Sequence, residues 1–176
     1  EIYTLSLHDA LPIWNWLARH LIAQGVPESR ALTILSLGFA LGLLLGRVAV
    51  SPILSSVPPE GVLLAAAVLM ALTTFLMLQS SDPKIAWLAV FGAGVAMAPV
   101  FPTTLAVVNA TFTGNLVATA TGIALTAGWL GLVVSSPIIG GIAGEDPKRL
   151  KTALLLLPVC SVVMAAVVLG LRSVVN

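Results

Sequence analysis

Apolar residues fill long blocks of this chain, and polar residues are confined to short interruptions between them. Five blocks, at about 31–54, 61–79, 84–110, 116–143 and 150–171, are long enough to cross a bilayer as helices. Some 20 residues rising roughly 1.5 Å each span a hydrocarbon core of about 30 Å. The stretch WNWLARHLIAQ (14–24) reads as the end of a further helix. Each interruption carries residues that stop a membrane helix: AQGVPESR at 23–30, SSVPPEG at 55–61, QSSDPK at 79–84, NATFTGN at 109–115 and GEDPKRLK at 144–151. In four of them prolines remove backbone donors and clash with the preceding turn, and in all five the polar side chains seek water that the bilayer excludes. The pattern predicts an all-α integral membrane protein of six helices, one of them partial.

Composition agrees, with 59% hydrophobic residues, 9% charged residues and a mean hydropathy of +1.09, far from the balance of a soluble domain. The lipid bilayer is therefore the first partner to expect. The net charge of +1 and the scattered basic residues exclude the clustered face that nucleic acid binding needs. Cys160 is the single cysteine and has no metal-binding neighbours in sequence. The chain has no HExxH pattern, no serine with a histidine or lysine at matching depth, and no aspartate pair within a span. The expectation is no enzyme and no cofactor.

Residues 1–13, EIYTLSLHDALPI, differ in polarity and rhythm from the rest of the chain and lack the basic start and small-residue cleavage site of a signal peptide. They resemble translated sequencing-adapter read-through. They are read as a non-native segment, His8 and Asp9 included, with the native chain beginning near Trp14 and forming a fragment of a longer protein.

Two features break the monotony of the apolar blocks. VAMAPVFPTTLAVVN (95–109) holds Pro99 and Pro102 in the middle of a helix-length segment. Each proline deprives a carbonyl one turn earlier, near Val95 and Ala98, of its donor, and such groups must find partners in neighbouring helices or a wet cavity. The second feature is a repeat: LGRVAVSPI (45–53) and LGLVVSSPI (130–138) match at six of nine positions, with an offset of 85 from Pro52 to Pro137. About three helices lie within that offset, so the second copy is inverted in the membrane, as in bundles built from an inverted three-helix repeat.

With these residues in view, the chain resembles the C-terminal half of a major facilitator superfamily transporter, from the end of its seventh helix to its twelfth, over residues 14–176. Gly46 and Arg47 resemble the Gly-Arg pair of the eighth helix in the fucose- and sugar-permease-like branch. Pro99, Pro102 and Thr103 resemble the P-x-x-P-T order of its tenth helix, and TATGIALTAGWLGLVVSSPIIGGIAG (119–144) is similar to its Gly-rich eleventh. The resemblance implies a six-helix half-bundle of a secondary active transporter, multi-pass in a bacterial cytoplasmic (inner) membrane. It would move a small-molecule substrate by alternating access, and would need the missing N-terminal six-helix half as partner. The alternative from a different class is a small membrane scaffold or assembly subunit without transport activity.

The candidate site follows from depth, since secondary transporters bind substrate near the bilayer midplane, where these prolines fall. Pro99, Phe101, Pro102, Thr103 and Thr104 are candidates for one wall of a cavity, Phe101 as an apolar surface and the threonines as hydroxyl donors; a kink serving only helix packing is the alternative. Thr126 and Trp129 lie one turn apart on the fifth span, where Trp129 either stacks on a sugar ring or packs as bulk between Gly128 and Gly131. Gly46, Arg47, Gly131 and Pro137 are gating or packing candidates, Arg47 being either an inter-helix tether or a snorkelling topology anchor. Asn109 and His20 are expected at the interface. No Asp or Glu falls within a span, so a proton-coupling carboxylate would belong to the missing half. The resemblance puts the breaks at 23–30, 80–84 and 144–151 outside the cell, although counting Arg30, Lys84, Lys148, Arg149 and Lys151 puts them in the cytoplasm; the family orientation is the expectation.

Overall fold

The computed structural model describes residues 14–175 apart from Ser55, Asn115 and Glu145. The reading of residues 1–13 as non-native therefore lies outside the described residues. Five helices among the described residues are long and apolar enough to cross a membrane. The elements are α1 (Trp14–Ala23), α2 (Glu28–Leu54), α3 (Pro59–Gln79), α4 (Pro83–Met97), α5 (Val100–Thr111), α6 (Leu116–Ala143), α7 (Pro147–Leu154) and α8 (Leu156–Val175). The fold is an all-α bundle, and α4 with α5, like α7 with α8, forms one broken span.

Local chemistry sets the ends of these elements. Pro59 and Pro83 open α3 and α4 in the first turn, where a missing N–H costs nothing and the fixed φ is already helical. Asp82 and Asp146 cap α4 and α7 by accepting from the backbone N–H of Lys84 and Lys148, each at 2.8 Å. Gly25, Gly114 and Gly144 turn the chain at positive φ between helices, a region that residues with a Cβ avoid. The break at Leu155 falls one turn before Pro158, whose ring cannot share the turn with a regular carbonyl.

Neighbouring spans run in opposite directions, so the C-terminal ends of α1, α3 and α6 meet the N-terminal ends of α2, α4 and α7. The continuous core lies at this end. Leu21, Leu78, Ile139 and Leu154 are fully enclosed there, together with Ala31, Ala86, Ala143 and Ala153. In lipid, such a core is held by close van der Waals packing and not by escape from water, which is why small side chains line it.

Polar groups complete the same end. His20 is buried at 3% exposure, its Nε2 lies 3.0 Å from the Gln24 Nε2, and its ring also bonds the Leu78 backbone. Lys151 Nζ donates to Gln79 Oε1 at 2.8 Å, joining α7 to α3. His20, expected at the lipid interface, is instead enclosed by protein, because the ends of α3 and α7 close over α1. Arg19, Arg30, Lys84, Lys148, Arg149 and Lys151 all lie at or beside this end of the chain's helices.

α2 and α4 pack closest. A π-helical turn at Ile34–Gly38 inserts an extra residue into the α2 winding and ends on the first of a row of buried glycines at 38, 42 and 46. A Cβ on Gly42 would collide with the Phe91 carbonyl oxygen, and one on Gly46 would sit 2.8 Å from the Ala98 Cβ and 2.9 Å from the Val95 Cα. α3 meets the other flank of α4, where a Cβ on Gly92 would lie 2.8 Å from Thr73 Cγ2. Beyond α3 lies α8.

Candidate functional site

The double-proline segment is a break in a span, as its chemistry requires. α4 ends at Met97 and α5 starts at Val100. Pro99 has no N–H to offer the Val95 carbonyl, which instead accepts from Ala98 N at 3.3 Å; the same N–H also donates to Gly94 O at 3.1 Å. Pro99 sits at φ −80° and ψ −19°, and Thr103 N donates to the Pro99 carbonyl at 3.0 Å, so the new helix is wound from that residue onward. The Ala98 carbonyl faces Pro102 one turn on and gets no i+4 donor from it.

Burial divides the candidates into two groups. Pro99 and Thr103 point inward. Thr103 is 0% exposed, and its hydroxyl has no hydrogen-bond partner, an arrangement that costs about 1–3 kcal/mol when nothing offsets it. Phe101, 53% exposed, and Pro102 point outward. Thr104 is half-buried and donates to the Val100 carbonyl at 2.7 Å, so its hydroxyl is spent on its own helix.

The inner face of the break is continuous with the glycine row of α2. Gly46 packs on Val95 and Ala98, the two residues just before Pro99. Arg47, about 100° further round the helix, is exposed and points away from α4. The Gly-Arg pair therefore splits its tasks: the glycine seats α2 against the break, and the arginine faces outward.

α6 presents the other candidates. Trp129 is 67% exposed, and Cβ atoms built on Gly122, Gly128 and Gly131 would meet nothing within 4 Å. Trp129 is thus not bulk packing within this chain, and Gly131 seats no helix here, because no described element covers the middle of α6. Pro137 lies inside α6 and is exposed. Thr126 donates to the Gly122 carbonyl at 2.8 Å. α6 is anchored near its C-terminal end, where Trp16 Nε1 donates to Ser136 Oγ at 3.2 Å and the indole lies against Gly140.

One register relation links the two groups. Thr121 Oγ1 reaches Asn109 Oδ1 at 3.5 Å across the α5–α6 hairpin, so Asn109 is an inter-helix polar group. Counting away from that pair along both helices brings Thr104 level with Thr126 and Phe101 level with Trp129. The latter pair lies about 12 Å deeper than the hydrogen bond at the helical rise. Two exposed aromatic rings thus share one depth on consecutive helices. Thr103 is enclosed and Gly46 is packed against Val95 and Ala98, so neither joins the two rings at the exposed surface.

Among the described residues no three of His, Cys, Asp and Glu gather closely enough to hold a metal ion. Sequence reasoning missed the π-helical turn, the cluster of His20, Gln24, Gln79 and Lys151, and the Trp16–Ser136 bond. The last two join residues more than 50 positions apart, a pairing with no local signal. No family model, curated protein or solved structure matches the chain.

Proposed function

We propose that the chain is the C-terminal half-bundle of a secondary active transporter of the major facilitator type, moving a small solute, with sugars as the first class to test, across a bacterial cytoplasmic membrane. The observation that carries this reading is the outward pair Phe101 and Trp129 at one depth, flanked by the span break at Ala98–Pro99 and by the uncovered glycines of α6. A half-bundle that encloses a solute against a second bundle needs such a surface: aromatic, small-residue-lined and unfilled by its own chain. An exposed aromatic ring at that depth suits an apolar or sugar-like surface, and hydroxyls next to a helix break can exchange their intrahelical bonds for a solute's.

Alternating access then has a physical basis in the break. A span without its full hydrogen-bond ladder at Ala98–Pro102 bends at lower cost than a continuous helix, while Gly46 holds the outer half of that span to α2. The test is Pro99→Ala with Pro102→Ala in the full-length protein, scored by uptake and by membrane expression. Uptake is expected to fall more than tenfold, or about 1.4 kcal/mol of barrier, at unchanged expression. Unchanged uptake would defeat the proposal, and a complete gene with no second six-helix half would favour the scaffold reading.

A further inference from the structure

At the core end of the bundle, the first turns of α2 and α4 flank an open groove of about 390 Å³ lined by Arg30, Thr33, Ile34, Pro83, Lys84 and Trp87. We propose that this groove binds an anionic phospholipid, its phosphate held by Arg30 and Lys84 and its glycerol and upper acyl chains by Ile34, Pro83 and Trp87. The inference rests on the membrane fold and is independent of whether the chain transports.

Charge is the first argument. Arg30 and Lys84 come from different helices, and among the described residues neither side chain is engaged in an ion pair. Two cations brought together without a direct ion-pair partner repel each other, and a phosphate between them removes that cost. Arg can grip two phosphate oxygens at once while Lys serves as a point charge. Both helices present their N-termini here, and the peptide dipoles add to the positive potential. The carboxylates nearest in sequence make no ion pair with these side chains: Asp82 turns Oδ1 to the Lys84 backbone nitrogen at 2.8 Å, and Glu28 lies two residues before Arg30, about 200° round the helix.

The walls decide between a lipid and free phosphate. Thr33 has already donated its hydroxyl proton to the Ser29 carbonyl at 2.8 Å, so the remaining surface is chiefly hydrocarbon and indole. Trp87 is held in place from two sides. It stacks on Phe91 with ring centres 5.5 Å apart and planes 9° from parallel, and its Nε1 edge lies over Gly38, where a Cβ would come to 3.6 Å. A fixed tryptophan beside two cations at the end of a span matches the level where lipid headgroups meet acyl chains. Below it, Leu37 and Leu88 are exposed along the same two helices and continue the apolar path. A free phosphate would gain nothing from these residues.

The full chain, purified in a neutral detergent and titrated with phosphatidylglycerol or phosphatidylcholine, tests the site by native mass spectrometry of retained lipid. Wild type is expected to prefer phosphatidylglycerol by about thirtyfold, each cation near the surface contributing roughly fivefold. Lys84→Gln alone should lower that preference about fivefold, and Arg30→Gln with Lys84→Gln should abolish it. Lys148→Gln with Arg149→Gln, at the same end of the bundle but outside the groove, should leave it intact. Equal retention of the two lipids by wild type would overturn the proposal, as would an equal loss in the control pair, or displacement of the lipid by millimolar inorganic phosphate. If the double variant fails to fold by circular dichroism, the exposed single variant Lys84→Gln carries the decision.

Discussion

α2 and α6 carry near-copies of one motif, LGRVAVSPI and LGLVVSSPI, yet they stand in opposite surroundings. Gly46 in the first copy is pressed against Val95 and Ala98, whereas Gly131, its counterpart, has nothing within 4 Å. The same residue type at the same motif position is a packing contact in one helix and open surface in the other. The difference lies in the partner: α4 lies along α2, and no described element covers the middle of α6. A glycine row therefore states only that a close approach is permitted. In this chain one row is used internally, and the other is exposed.

Substitutions can break or sharpen that contrast. The largest effect is expected for Gly46→Leu, which drives a side chain into the α4 backbone and should destabilise the bundle by about 3 kcal/mol or more. Gly131→Leu should change stability by less than about 0.5 kcal/mol, as surface substitutions do. Thermal unfolding of both variants in one detergent decides the matter, and equal losses would mean that the two helices do not differ in this way. Next in size is the anchored end of α6. Trp16→Phe removes the donor to Ser136 and part of the contact with Gly140, and should cost about 1 kcal/mol; no loss would mean that α6 is held by other means.

A similar magnitude with the opposite sign is expected at the break. Thr103→Val replaces an enclosed, unpartnered hydroxyl with a methyl of similar shape and should raise stability by about 1 kcal/mol. Under the proposed transporter reading, the same change in the full-length protein should lower uptake, the hydroxyl being kept for a solute that reaches it when the bundle rearranges. A variant both more stable and fully active would remove Thr103 from the candidate site. The smallest effect belongs to Lys151→Met, which breaks an exposed hydrogen bond to Gln79 and should cost only a few tenths of a kcal/mol.

Much of the fold was legible along the chain. The spans expected at 31–54, 61–79, 84–110, 116–143 and 150–171 fall within a few residues of the observed helices, because prolines and glycines mark where hydrogen-bonded winding must stop and long apolar runs mark where it must not. The break at Pro99 was equally visible, since a missing N–H is a covalent fact. The candidate site was legible only in pieces. Nothing local distinguishes Phe101, which faces outward, from Thr103, which faces inward two residues later, until the position of α3 and α4 is known.

His20 makes the same point from the other direction. Its sequence neighbours, Arg19 and a short amphipathic stretch, suit a helix end at the membrane surface, but Leu78 and Lys151 close over it from positions 58 and 131 residues away. The sequence by itself determined the class of solvent, the number of spans and the places where backbone bonding fails, because each follows from side-chain hydropathy and covalent geometry within a window of about 20 residues. Tertiary structure alone decided which glycines are covered, which polar groups are enclosed and which aromatic rings share a depth. Those outcomes depend on which helix lies beside which, and in a bilayer neighbours are selected by shape complementarity between distant segments and not by hydrophobicity.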